Sequence, residues 1–126
     1  MLADTNYVSI HHVSLLVNDL DTATHFYSKV LGLELNKNRP DLGYAGAWFD
    51  IGSQQLHLLA LPNPGEGILR PEHVGRDYHF AIYIRDINKI VDKLNKAGIA
   101  FTRSRSGRTA LFCRDPDDNG IEFIQI

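Results

Sequence analysis

The sequence predicts an α+β fold of two tandem βαβββ modules within one domain, and three paired landmarks predict it. His12 opens the stretch His12-Val13-Ser14-Leu15-Leu16-Val17-Asn18-Asp19-Leu20. His79 opens a similar one, His79-Phe80-Ala81-Ile82-Tyr83-Ile84-Arg85-Asp86-Ile87, 67 residues later. Gly32-Leu33 and Gly98-Ile99 each follow a helical pattern, 66 residues apart, and His57 and Glu122 each sit between two apolar residues, 65 apart. Three landmarks at nearly one offset mark an internal duplication.

The elements follow in order. Val8 to Val17 alternates as a strand, with His12, Ser14 and Leu16 set against Val13, Leu15 and Val17. Asp19-Leu20-Asp21 offers N-cap chemistry to a helix whose Ala23, Phe26, Tyr27, Val30 and Leu31 form one apolar face, and Gly32 is placed to end it. Strands are expected at Leu33 to Asn36, Tyr44 to Ile51 and Gln54 to Leu61, with Gly52-Ser53 turning the last two. In the second half Tyr78 to Arg85 is the strand. Asp86 caps a helix with Ile87, Ile90, Val91, Leu94 and Ala97 on one face, and Gly98 closes it. Ile99 to Arg103, Thr109 to Cys113 and Ile121 to Ile126 complete the repeat. The modules thus span about 8–61 and 78–126, and the Pro- and Gly-rich segment 62–77 links them.

Composition narrows the function. A net charge of −2 gives no general attraction for nucleic acid or anionic membrane. No apolar run approaches membrane-spanning length, and residues 1–6 have neither a basic start nor an apolar core, so neither a membrane segment nor a leader is expected. The single cysteine, Cys113, excludes an intrachain disulfide and fits a reducing cytoplasm. No phosphate-cradling loop, nucleophile elbow or paired CxxC is present.

His12, His57, His79 and Glu122 are the candidate site. A lone strand histidine is usually just a packed side chain, but these four stand at equivalent places in a repeat. Alternation puts His12 and His79 on the strand face opposite the apolar set. Glu122 between apolar neighbours would be costly to bury without a cation. Three imidazoles and a carboxylate suit one divalent transition metal, among Zn, Ni, Co, Fe and Mn. His11 points to the other face, His25 reads as solvated, and His73 reads as a surface linker residue. Asp115-Pro116-Asp117-Asp118-Asn119-Gly120 imitates a calcium loop, but its twelfth position is Ile126, not Glu, so it reads as a polar turn into the last strand. Arg103 to Arg108 is a basic hairpin: either a solvated turn, or an anchor in which Arg103 and Arg108 bind a substrate carboxylate or phosphate.

The chain resembles the vicinal oxygen chelate superfamily of glyoxalases, epimerases, fosfomycin-resistance transferases, extradiol dioxygenases and bleomycin-resistance proteins. The resemblance lies in Ile10-His11-His12-Val13-Ser14-Leu15-Leu16-Val17-Asn18-Asp19-Leu20, in Phe26-Tyr27 with Val30-Leu31-Gly32-Leu33, and in Asp115-Pro116-Asp117 through Ile121-Glu122. It implies the glyoxalase/bleomycin-resistance/dioxygenase fold, with the family's four ligand positions falling on His12, His57, His79 and Glu122. His57 departs from relatives that carry Glu or Gln there, which leaves Glu122 as the expected catalytic acid/base. The resemblance further implies a lyase or isomerase of glyoxalase type, acting on a small substrate through neighbouring oxygens. It also implies a homodimer with shared sites between the modules of two chains. An extradiol-type dioxygenase, a fosfomycin-type transferase and a non-catalytic drug-binding protein are the alternatives. Only four residues follow Glu122, so the tail those transferases use is not expected.

Overall fold

The computed structural model describes residues 2–126. The first module runs β1 (His12–Leu16), α1 (Leu20–His25), a π-helical turn (Phe26–Val30), β2 (Glu34–Asn36), β3 (Gly46–Ile51) and β4 (Gln54–Leu59). The second runs β5 (His79–Ile84), α2 (Ile87–Lys96), β6 (Phe101–Arg103), β7 (Ala110–Arg114) and β8 (Gly120–Gln125). Each module forms a four-stranded sheet with its first and last strands parallel and adjacent, in the orders β1-β4-β3-β2 and β5-β8-β7-β6. The duplication is therefore complete at the level of topology.

Most strand ends shift by one or two residues, and two elements differ more from the sequence expectation. The first strand starts at His12, not Val8, because β4 begins at Gln54 and the last rung before it is Gln55 N–H donating to His11 C=O at 3.1 Å. Earlier residues have no strand to pair with. The first helix is α-helical for one stretch only. It then widens so that Leu31 N–H reaches Phe26 C=O, five residues back, at 3.0 Å. Phe26, Tyr27 and Leu31 are all buried on this wider turn. The caps behave as expected: Asp19 accepts from Asp21 and Thr22 N–H, Asp86 accepts from Asn88 N–H, and Gly32 and Gly98 end the helices at φ of 81° and 68°.

Both helices cover the inner faces of the sheets, and one continuous core results. Tyr27, Phe49, Leu56, Leu94, Leu111 and Ile121 are essentially inaccessible within it. The junction between modules is also hydrogen-bonded. Asp115 is 4% exposed, and its carboxylate accepts from Tyr27 O–H at 2.7 Å, Asp117 N–H at 2.8 Å, and both Asn119 N–H and the Asn119 side-chain amide at 2.9 Å. Burial pushes its pKa up, against the pull of these donors. The turn that imitates a calcium loop thus spends its first carboxylate on the first module's Tyr27.

Segment 62–77 is tied down at its far end. Asp77 accepts from Arg114 at 2.8 Å and Arg70 at 3.3 Å, while Arg114 also reaches Pro71 C=O and Asp118 C=O. Burial alone would raise the Asp77 pKa, but Arg114, the Tyr78 N–H and Arg70 hold it below the usual carboxylate range. Among the described residues no helix is long and apolar enough to cross a membrane.

Tyr27→Phe removes one charged-acceptor hydrogen bond across the junction and leaves the ring in place. It is expected to cost about 1–3 kcal/mol in urea unfolding; an unchanged midpoint would show that the junction bond contributes nothing.

Candidate metal centre

Parallel pairing decides where the four residues stand. His57 on β4 lies opposite Ser14 on β1, two residues beyond His12, and Glu122 on β8 lies opposite Ala81 on β5, two residues beyond His79. Residues two apart on one strand share a face, so each sheet carries one diagonal pair on the side away from its helix.

In the first pair the imidazoles of His12 and His57 stack at 4.0 Å between centroids and 16° between planes. The Trp48 indole covers the other face of His57 at 4.4 Å and 10°. His57, 9% exposed, is thereby sandwiched between two rings. Its Nε2 donates to Gln55 Oε1 at 2.8 Å, and the Gln55 amide in turn donates to Asp50 at 3.2 Å. Assigned from this network, the tautomer carries its proton on Nε2 and keeps the Nδ1 lone pair free. Desolvation, with His12, His11 and Arg39 adding to it, lowers the His57 pKa from the usual 6.5 to about 4. His57 is therefore a neutral, ligating-competent imidazole near pH 7. His11, expected on the opposite face, instead lies beside the pair, its Nδ1 2.8 Å from that of His12. It precedes β1, so strand alternation does not govern it.

In the second pair His79 Nδ1 donates to Asp77 C=O at 2.9 Å, which leaves the lone pair on Nε2. That atom stands 3.3 Å from Glu122 Oε1, and Glu122 is 3% exposed. Two acceptor atoms at this distance can share a cation, a proton or a metal. The separation also matches the edge of a tetrahedron with metal–donor bonds of about 2.1 Å, which is about 3.4 Å. This pair fits a divalent ion. Phe112 stands edge-on to His79 at 5.4 Å and holds the register position opposite Glu122 that Trp48 holds opposite His57.

Within one chain the two pairs stay apart. Among the described residues, no three His, Cys, Asp or Glu side chains gather closely enough to hold an ion. The modules meet through their helix-covered sides, so the paired ligands face away from the shared core.

The hairpin arginines have separate fates. Arg103 lies over the Phe101 ring at 5.7 Å, whereas Arg108 Nη2 donates to Glu122 Oε2 at 3.0 Å. His73 is not a plain surface residue: it caps the turn Val74–Arg76 through Gly75 N–H, packs on Phe112 at 5.3 Å, and leaves Nε2 buried without a partner. Sequence reasoning passed over Trp48, Gln55 and Phe112. The antiparallel register between the last two strands of each module was the available signal for Trp48 and Phe112.

Comparison with known proteins places this architecture. A family model described as the Glyoxalase/Bleomycin resistance protein/Dioxygenase superfamily matches residues 9–123, and the chain belongs to that superfamily. It is 32% identical to a Vibrio cholerae protein named "Probable lactoylglutathione lyase", over 92% of this chain and 89% of that one. Identity is 30% with a lactoylglutathione lyase of Arabidopsis thaliana, covering 90% of this chain but spanning only 43% of that longer protein. A mitochondrial methylmalonyl-CoA epimerase of Bos taurus is 27% identical over 92% of this chain and 72% of its own length. Among solved structures, the lactoylglutathione lyase from Agrobacterium tumefaciens superposes with a TM-score of 0.64 at 26% identity, over 93% and 92% of the two chains.

His57 gives the metal-free protein a defined pH response. Because its folded pKa is depressed, the unfolded chain takes up a proton between pH 6.5 and about 4 that the folded chain refuses. Its contribution to stability is thus present above pH 6.5 and is lost as pH falls toward 4. His57→Gln is expected to flatten this part of the melting-temperature profile; a profile parallel to wild type would remove His57 as the cause.

Proposed function

We propose that this protein is a metal-dependent lyase or isomerase of glyoxalase type, active as a homodimer and working on a small substrate with neighbouring oxygens. The observation that carries the reading is the facing of His79 Nε2 and Glu122 Oε1, with the register-equivalent His12 and His57 pair on the other module. Each sheet presents two donors on a face its own helix does not cover. Pairing the first module of one subunit with the second module of another would complete four ligands, and the four donors would be His12, His57, His79 and Glu122. A divalent ion held there supplies Lewis-acid polarisation of substrate oxygens. His57 contributes a neutral donor, while the Asp77 carbonyl and Gln55 fix which ring nitrogens face the site. Glu122 is the acid/base that moves a substrate proton; Arg103, paired on β6 with core-facing Leu111 and laid over Phe101, stands on the opposite face of the sheet and takes no part. The relatives named as lactoylglutathione lyases and as an epimerase support a proton-moving reaction of this kind.

One observation favours a second reading, a metal-free binding protein: Arg108 already supplies Glu122 with a positive partner. Protein purified without an affinity tag separates the two, since the enzyme reading requires one divalent ion per assembled site. Mixing tests the shared site further. His12→Ala and Glu122→Ala homodimers should each lose tight metal binding, whereas their mixed dimer should regain one site out of two, because both lesions then fall in the same site. No regained site, despite demonstrated subunit exchange, would mean that sites are not shared between chains.

Catalysis gives a separate expectation. Glu122→Gln should lower kcat on the methylglyoxal–glutathione hemithioacetal, or on whichever member of a substrate panel is turned over, by about 10²–10⁴-fold. Undiminished turnover would rule Glu122 out as the base.

A further inference from the structure

Glu122 is a carboxylate almost wholly enclosed in a strand between apolar neighbours, and the fold gives each of its oxygens one partner. Oε1 faces His79 Nε2 at 3.3 Å, and Oε2 receives Arg108 Nη2 at 3.0 Å. The two partners differ in how they are held. His79 is part of β5, fixed by strand pairing and by Asp77 C=O. Arg108 comes from the exposed hairpin 104–109, tied at its ends by Ser104 N–H to Ala110 C=O at 2.9 Å and Gln125 N–H to Thr109 C=O at 2.8 Å and held between them by short-range hydroxyl contacts: Ser104 with Ser106 at 2.7 Å, and Arg108 N–H to Ser106 at 3.3 Å. Its side chain is 55% exposed against 4% for that of Glu122. A solvent-side cation on a long, half-exposed side chain therefore reaches into an enclosed acid.

We propose that Arg108 is an internal stand-in for the metal ion: it neutralises Glu122 while the site is empty and must swing away when a divalent cation is bound. The inference rests on the metal reading above. An enclosed carboxylate without a counter-charge is strongly destabilising, so the empty half-site needs a cation of its own. Once a divalent ion sits between His79 and Glu122, a guanidinium 3.0 Å from the same carboxylate is a like charge beside it, and the exposed arginine side chain can turn out into water. Metal and guanidinium thus compete for one acid. The displaced guanidinium stays tethered at the mouth of the site, free to receive an anionic group of the substrate. An anion anchor would then be available only when the metal is loaded.

The sign of one measurement decides the matter. An arginine that braced Glu122 in the loaded site would strengthen metal binding, and its loss would weaken affinity by about 10–100-fold. A competing arginine does the reverse. Tag-free protein stripped with a chelator is titrated calorimetrically with zinc and with nickel, as wild type, Arg108→Gln and Arg108→Lys, below the melting temperature of each. The metal-free forms are melted in parallel. Arg108→Gln is expected to bind metal at least about fivefold tighter, the lower end of ordinary coupling between linked ligands, and to melt lower than wild type when empty. Arg108→Lys, which keeps the cation, should bring both values back toward wild type. Affinity that is unchanged or weaker in Arg108→Gln, or an unchanged melting temperature of its empty form, overturns the inference while leaving the metal site standing. Failure of wild type and variant alike to take up either metal overturns both.

Discussion

Each module has four strands but a single helix, and one helix can cover only one face of a sheet. Everything particular to this protein follows from that shortfall. The covered faces merge into one core, with Phe49 and Leu56 from one sheet and Leu111 and Ile121 from the other. The uncovered faces carry His12 with His57 and His79 with Glu122. Parallel pairing of the first and last strands then converts two separate sequence positions into a diagonal pair of donors, twice over. The chemistry sits where the core is not, because apolar burial has claimed the other side.

The junction that unites the modules is polar as well as apolar. Asp115 in the β7–β8 turn is held by four donors, one of them from the other module, and Lys93 on α2 donates to Leu31 C=O at 2.8 Å at the end of the π-helical turn. These bonds fix the relative orientation of the two sheets in a way that a layer of leucines would not, since each needs a particular angle and distance. Arg114 adds a third point by gathering Asp77, Pro71 and Asp118. The segment between the modules is thus anchored from residue 70 onward, and its unanchored part is confined to the residues before it.

Much of this was legible in the sequence, and the reasons differ by residue. Duplication offsets exposed the topology, and the caps at Asp19 and Asp86 and the glycines at 32 and 98 located the helices, because those signals are local. The placement of His12 and His79 followed from alternation within a strand. What alternation could not reveal was anything set by the partner strand or by a loop. The stack of Trp48 on His57 depends on antiparallel register, the start of β1 depends on where β4 begins, and the widened turn at Phe26 depends on packing against the other module. Arg108 read as a substrate anchor because a basic hairpin has no visible acceptor in its own sequence. Glu122, 14 residues on, becomes that acceptor only after β7 and β8 have paired. His73 read as a surface residue because its contact, Phe112, is likewise distant along the chain.

His57 and Glu122 hold the same register position in two copies of one module, yet one is neutral and the other anionic. The structure around each tolerates the difference: an aromatic sandwich for the imidazole, a guanidinium for the carboxylate. In a duplicated scaffold of this kind, the formal charge of a four-ligand set can be stepped by a single codon change in one copy while the other copy preserves the geometry. Duplication therefore does more than double the ligands. It separates the tuning of a centre's electronic character from the maintenance of its shape, so that descendants of one fold can drift toward different chemistries without first losing the ability to fold.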